Sequence, residues 1–162
     1  YIADQNNDRL QKFSSDGEPI SQWGKRGVGD GEFNMPWGVA VDSKGYVYVA
    51  DWRNDRIQKF DADGNHLATF GTSGDGDGQF HRPSWVAVDK DGDIYVTDWG
   101  NERVQVLGPD GSFITKFRGD SGMVEGLSIL SKIYYEMDAF KAQYVEDRKA
   151  QESLERDPPK FE

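Results

Sequence analysis

Acidic and basic side chains recur in this 162-residue chain at one fixed spacing. In three pairs that lie 47 residues apart, an aspartate is followed five positions later by an arginine: Asp4 and Arg9, Asp51 and Arg56, Asp98 and Arg103. Such a pair can act as a catalytic acid and base, or it can form a charge-assisted hydrogen bond that stabilises a turn. Because an active site needs one such pair and not three, the repetition favours the structural role.

Histidines and clustered aspartates are the candidate metal ligands. The chain has two histidines, His66 and His81, and no cysteine, whereas a zinc site needs three or four ligands. The segment Asp89-Lys-Asp91-Gly-Asp93 has the alternating carboxylates of a calcium loop, but it continues into IYVTD without the required bidentate glutamate. Turn chemistry explains this segment better. The sequence therefore predicts no metal site, no cofactor and no catalytic residue.

The elements that carry these residues repeat along the chain. Asp4, Asp51 and Asp98 lie 47 residues apart. Residues 1–24 overlay residues 48–71 with 12 of 24 positions identical. A constant period of this length is typical of proteins built from stacked repeats.

Each complete unit contains four short runs typical of strands. In the unit 25–71 they are residues 37–42, 46–51, 56–61 and 66–71, separated by turn-forming clusters. Four antiparallel strands in a unit of this length indicate a β-propeller blade. The predicted fold is therefore all-β, with a partial blade at 1–24 and complete blades at 25–71 and 72–118.

The repeated pattern also resembles a known family. The motif G-D-G-x-F-x-x-P-x-x-V-A-V-D-x-x-G-x-x-Y-V-x-D-x-x-N-x-R-[IV]-Q, at 29–58 and 76–105, is similar to the NHL repeat. The resemblance extends over residues 1–118 and implies blades of a propeller with about six units. The last unit departs from it at Gly108 and Arg118, which replace Asp61 and Gly71.

After the repeats, residues 119–162 have a different pattern. Apolar residues at helical spacing predict an amphipathic helix from about 125 to 155, either an extension or an insertion between blades. The open blade faces of an unclosed ring are expected to be covered in one of two ways. One is self-association through these faces, and the other is docking of the apolar side of this helix, with Ile133 and Met137, on one of them.

Charge and hydropathy exclude several classes of partner. The net charge of −10 repels phosphate backbones. Some NHL propellers bind RNA through a basic face, but here the arginines are outnumbered locally by aspartates and glutamates. No apolar run reaches the ~20 residues that span a bilayer. We therefore expect neither nucleic acid nor a membrane span, and we assign no localisation.

The candidate binding site lies where the copies differ. Strand connectivity places the connection into each blade and the turn between its second and third strands at the same end of the sheets. The residues there are Asn34, Met35, Trp37, Trp52, Arg53, His81, Arg82, Trp85 and Trp99. Tryptophan and arginine often contribute most of the energy of an interface. For Trp52 and Trp99, packing between blades is the alternative role.

These patterns predict a non-enzymatic propeller segment that binds a protein or a small-molecule ligand through these loops. The alternative is a fragment of a propeller enzyme, of the metal-dependent lyase or lactone hydrolase type that the resemblance also implies. In that case the catalytic residues would lie in blades outside this sequence.

Overall fold

The computed structural model describes residues 1–118, which belong to one compact unit, Tyr1–Gly119. The helix predicted from about 125 to 155 lies outside the described residues. Within them, the chain is all-β, and its short helical segments are the 3-10 turns Gln5–Asn7 and Trp99–Asn101. No helix in residues 1–118 has the length and apolar character that crossing a membrane would require.

The strands form three antiparallel sheets in which neighbours follow chain order. Sheet 1 contains β1 (Ile2–Asp4), β2 (Arg9–Phe13) and β3 (Pro19–Trp23). Sheet 2 contains β4 (Pro36–Val41), β5 (Val47–Asp51), β6 (Arg56–Phe60) and β7 (His66–Phe70). Two short parallel strands, β8 (Thr72–Ser73) and β9 (Gln79–Phe80), close the loop that leads to sheet 3. Sheet 3 contains β10 (Pro83–Val88), β11 (Ile94–Asp98), β12 (Arg103–Leu107) and β13 (Phe113–Arg118).

The four-stranded antiparallel units predicted from the repeat are confirmed, with strand ends that differ by about one residue. The short pair β8 and β9 was not predicted, because its two-residue strands are too short to produce an alternating pattern.

Aspartate side chains and glycines form the turns between strands, as the sequence indicates. Between β4 and β5, Oδ1 of Asp42 accepts the backbone N–H groups of Lys44 and Tyr46, both at 2.9 Å. Gly45 closes this turn at φ +85°, a conformation that residues with a Cβ rarely adopt. Asp89 repeats the arrangement between β10 and β11.

Alternating side chains bury both faces of sheet 2. Val47 and Val49 of β5 belong to a core cluster with Leu10 of sheet 1, while Tyr48 and Ala50 belong to a second cluster with residues of sheet 3. The second cluster consists of Tyr48, Ala50, Ile57, Phe70, Phe80, Val86, Ile94, Val96 and Leu107. Burying each large apolar side chain contributes roughly 1.5–3 kcal/mol. Packing between consecutive sheets therefore holds the repeats together.

The first strands of sheets 2 and 3 approach each other closely. A Cβ added at Gly38 of β4 would lie 2.7 Å from the Cα of Trp85 and 2.9 Å from the carbonyl oxygen of Ser84, both in β10. Each of these strands is the edge strand of its sheet. The edge strands β4 and β10 therefore meet along one seam, as expected for the innermost strands of successive blades.

Candidate functional site

The loops that the sequence analysis placed at one end of the sheets do lie together. The N–H of Arg53, in the turn after β5, donates to the carbonyl of Asn34 at 3.0 Å, and the N–H of Gly100 donates to that of His81 at 2.8 Å. We call this end of sheets 2 and 3 the upper rim and define it as residues 33–37, 52–55, 80–85 and 99–102.

The repeated aspartate and arginine pairs hold this rim in place. Oδ2 of Asp51 accepts a hydrogen bond from Nε of Arg56 at 2.9 Å, and its Oδ1 accepts the N–H of Asn34 at 2.8 Å. The remaining guanidinium nitrogens of Arg56 donate to the carbonyls of Val28, Gly29 and Glu32 at 2.7–2.9 Å. The pair therefore stabilises the turn, as predicted, and also ties the long connecting loop to the sheet.

Burial affects the electrostatics of this pair. The side chain of Asp51 is fully buried, and burial raises the pKa of its carboxyl even though hydrogen bonds from Asn34, Asn54 and Arg56 lower it. The more exposed copy differs, because a hydrogen bond from Arg9 lowers the pKa of Asp4. These pairs already use their hydrogen-bonding capacity within the protein, which suits a structural role.

A second set of carboxylates links one repeat to the next. Oδ1 of Asp8 accepts the N–H of Met35 at 2.7 Å, and Oδ1 of Asp55 accepts the N–H of Arg82 at 2.7 Å. Met35 and Arg82 have φ angles of 57° and 55°, in the left-handed region. These hydrogen bonds between repeats were not predicted from the sequence, since the backbone N–H that donates belongs to the following repeat. The available signal was an acidic residue in all three copies, because Glu102 occupies the same position.

Four of the predicted binding residues meet at Trp52. The rings of Trp37 and Trp52 are in edge-to-face contact, with centroids 5.2 Å apart. The guanidinium carbon of Arg82 lies 4.9 Å from the Trp52 ring centroid, and that of Arg53 lies 5.7 Å from it. These distances are typical of cation–π contacts. Arg82 belongs to the loop before sheet 3, so the contact joins neighbouring repeats.

The other candidates lie apart from this cluster. The backbone of Trp85 lies beside Gly38 at the seam between β4 and β10, and this residue is 58% exposed. Trp99 is 57% exposed. His81 lies against Gly100, so closely that a Cβ there would clash with the imidazole ring. Asn34 and Met35 lie in the loop before sheet 2, where their backbone N–H groups donate to Asp51 and Asp8. Packing between repeats therefore describes Trp52, which contacts Arg82 of the next repeat, better than it describes the exposed Trp99.

The aspartate segment that resembles a calcium loop acts as a turn. Oδ1 of Asp89 accepts the N–H groups of Asp91 and Asp93, and its Oδ2 accepts the hydroxyl of Tyr95 at 3.1 Å. Burial and the Asp89 carboxylate raise the pKa of Tyr95 to about 12, so this phenol remains a donor at neutral pH. Residues 1–118 contain no group of three histidine, aspartate or glutamate side chains placed to hold a metal ion.

Comparisons with known proteins agree with this description. The family model described as NHL repeat matches residues 33–60 and 80–107. No curated protein matches the chain.

Several solved structures share the fold. A streptogramin B lyase structure has a TM-score of 0.55 at 16% identity, over 73% of this chain and 36% of that one. Virginiamycin B lyase from Staphylococcus aureus, solved in a catalytically inactive form with quinupristin, has a TM-score of 0.54 at 14% identity, over 72% of this chain and 36% of that one. A protein of unknown function from Bacteroides caccae has the same score and identity, over 72% and 40%.

The chain spans between about a third and two-fifths of the length of these structures. At these identities, the likeness concerns the fold, which is β-propeller-like. Residues 33–60 and 80–107 of this chain are NHL repeats.

Proposed function

We propose that this chain is a non-enzymatic binding module whose upper rim contacts a protein or a small-molecule ligand. The observation that carries the proposal is the exposure of three large indole rings on one rim: Trp37 is 44% exposed, Trp85 58% and Trp99 57%. Exposed tryptophans are typical of residues that dominate binding energy, and two arginines lie against Trp52 on the same rim. Buried polar contacts hold the surrounding loops, so the surface is organised before a ligand arrives.

The proposal includes an architecture in which sheets 1 to 3 are consecutive blades of a propeller that has about six blades in the parent protein. The packing of both faces of sheet 2 supports this arrangement, as does the seam between β4 and β10. The helix expected from about 125 to 155 is part of the same proposal, as an extension or an insertion between blades.

An enzyme fragment is the second candidate, because the solved structures with this fold include lyases. In that case the catalytic residues would lie outside residues 1–118. Incubating the full-length parent protein, which would carry those residues, with quinupristin or with a simple lactone, with and without added divalent metal, tests this candidate. Turnover that depends on stoichiometric metal would favour the enzyme over the binding module.

The five tryptophans allow a direct test of the binding module. Four lie on the upper rim, while Trp23 packs between sheets 1 and 2 and serves as an internal reference. A library of small fragments is titrated into ¹⁵N-labelled protein, and the indole N–H signals are followed by NMR. We expect saturable shifts of the rim indoles while the Trp23 signal stays unchanged.

Variants assign these shifts to the rim. Trp85→Ala should weaken binding of fragments that shift the rim signals, whereas Leu67→Ala, at a similarly exposed apolar residue on the outer strand β7, should leave it unchanged. If no fragment shifts the rim indoles, or if the two variants weaken binding equally, the proposed function is wrong.

A further inference from the structure

We propose that Trp52, Arg53 and Arg82 form a subsite for a monoanionic ligand in which a carboxylate is joined to a flat apolar group, such as an aryl carboxylate. This inference rests on the proposed binding function of the upper rim and specifies its ligand.

Within the described residues, the two guanidinium groups have no oxygen partners. Within residues 1–118, the side chains of Arg53 and Arg82 form neither an ion pair nor a hydrogen bond, whereas Arg9, Arg56 and Arg103 each pair with an aspartate. Both arginines are exposed, and their guanidinium groups contact the Trp52 ring. Their N–H donors are therefore free to bind an anionic oxygen.

The Trp52 ring is a contact that both cations share. The guanidinium carbons lie 5.7 and 4.9 Å from the same ring centroid, so both charges act on a ligand bound at this ring within the Debye length of about 8–10 Å. The Nε1–H of Trp52 is itself buried and has no acceptor in the part of the chain that the structure describes. The donors that a ligand can reach are the exposed guanidinium groups of Arg53 and Arg82, which suit a carboxylate.

The neighbouring carboxylate sets the net charge of the subsite. Asp55 also lies in this turn, where its Oδ1 accepts the N–H of Arg82 at 2.7 Å and its Oδ2 accepts the hydroxyl of Ser73 at 2.6 Å. Two guanidinium groups and one carboxylate leave one positive charge. The chain as a whole has a net charge of −10, so it would repel a polyanion. The attraction between the subsite and a single carboxylate acts only within about one Debye length of 8–10 Å, where the local positive charge dominates.

The apolar part of the ligand has a surface to contact. Trp37 packs against the edge of Trp52, with an interplanar angle of 90°, and is 44% exposed. A flat group can stack on or against such an exposed indole. The contact and the charge together favour an aryl carboxylate over a free inorganic anion.

The test compares phenylacetate with phenylacetamide, which has the same shape and no charge. Each is titrated into ¹⁵N-labelled protein while the indole N–H signals of Trp37 and Trp52 are followed by NMR. We expect phenylacetate to bind about 10-fold more tightly than phenylacetamide, the effect of a charge-assisted hydrogen bond. Inorganic phosphate should shift these signals only at much higher concentration.

Arginine variants supply the matched controls. Arg53→Gln and Arg82→Gln should each reduce the preference for phenylacetate to about 2-fold or less. Arg26→Gln should leave this preference unchanged. Arg26 lies in the loop before sheet 2, and the residue equivalent to Trp52 in the preceding repeat is Gln5, which has no aromatic ring. A dispersed amide spectrum shows that each variant is folded, and the comparison in the unmodified protein does not depend on the variants.

Equal affinity for phenylacetate and phenylacetamide would overturn the anionic subsite and leave the binding module in place. Phosphate binding as tight as phenylacetate binding would overturn the requirement for a flat group. If neither probe shifts the indole signals, the subsite is wrong, and the fragment titration decides separately whether the rim binds ligands.

Discussion

At the residue scale, one motif occurs in two environments. The side chains of Arg9 and Asp4 are 33% and 19% exposed, whereas those of Arg56 and Asp51 are 10% and 0% exposed. Arg56 also donates to three carbonyls of the connecting loop. The energetic value of the pair should therefore depend on its position in the chain.

We predict that Arg56→Ala lowers the free energy of unfolding by about 3–5 kcal/mol, because it leaves the carboxylate of Asp51 buried without its cationic partner. Arg9→Ala should cause a much smaller loss, since water can solvate Asp4. Urea denaturation at neutral pH, followed by circular dichroism, measures both. Equal losses would show that burial does not determine how much the pair contributes to the free energy of unfolding.

At the scale of the element, the hairpin between β6 and β7 depends on one carboxylate. Asp61 accepts the N–H groups of Asp63 and Asn65 at 2.9 Å and the side-chain amide of Asn65 at 2.7 Å. These bonds, above all the one from the Asn65 side chain, hold the pKa of Asp61 below its ordinary value. The ionised carboxylate therefore stabilises the fold above the unfolded pKa, and this contribution is lost as the pH falls through the lower folded pKa.

We predict that Asp61→Asn destabilises the protein at neutral pH and that its difference from the unmodified protein shrinks as the pH falls from about 6 to about 3. Urea unfolding at several pH values tests this. Asp63→Asn removes a charge from the same turn without removing these bonds and serves as the control. A difference that stays constant with pH would contradict the assigned role.

The seam between β4 and β10 gives a second prediction for an element. Gly38→Ala should lower the free energy of unfolding by about 1–3 kcal/mol, because the added methyl group meets backbone atoms of Ser84 and Trp85 that cannot move independently. At Gly29 an added Cβ would meet only the flexible side chain of Glu32, 3.1 Å away, so Gly29→Ala is the matched control. Thermal unfolding of both variants provides the comparison; similar melting temperatures would argue against close packing at the seam.

At the scale of the whole molecule, sheet 1 has an apolar face against which no other strand of residues 1–118 packs. Ile2 is 53% exposed, whereas its equivalent one repeat later, Val49, is fully buried. The equivalent face of sheet 2, which includes Val49, packs against sheet 1 of the preceding repeat. We propose that a second copy of the chain, which carries such sheets, covers it.

Multi-angle light scattering across a range of concentrations tests this self-association. The apparent mass should rise with concentration, and Ile2→Asp should shift that rise to higher concentration, because a charge would be buried in the contact. Leu67→Asp, at an exposed residue on the outer strand, controls for added charge. A monomer mass for the unmodified protein at every concentration would rule out association through this face.

The sequence by itself determined the strands, their order, the turns and the repeated pairs. Asp42 and Gly45 act within one hairpin, and Asp51 and Arg56 within one turn, so contacts close in sequence specify them. Because the period is 47 residues, the residues assigned in one repeat predict the equivalent residues in the next. The same reasoning placed all nine candidate binding residues in the loops and strand ends at one end of the sheets.

Only the tertiary structure decided which of these residues form a cluster. Trp52 and Trp99 occupy equivalent positions, yet Trp52 is covered by Trp37 and Arg82 while Trp99 remains 57% exposed. The same holds for Asp55, whose partner is the backbone N–H of Arg82, 27 residues further along the chain. The physical reason is that these contacts cross between repeats, where relative position depends on the packing of whole sheets.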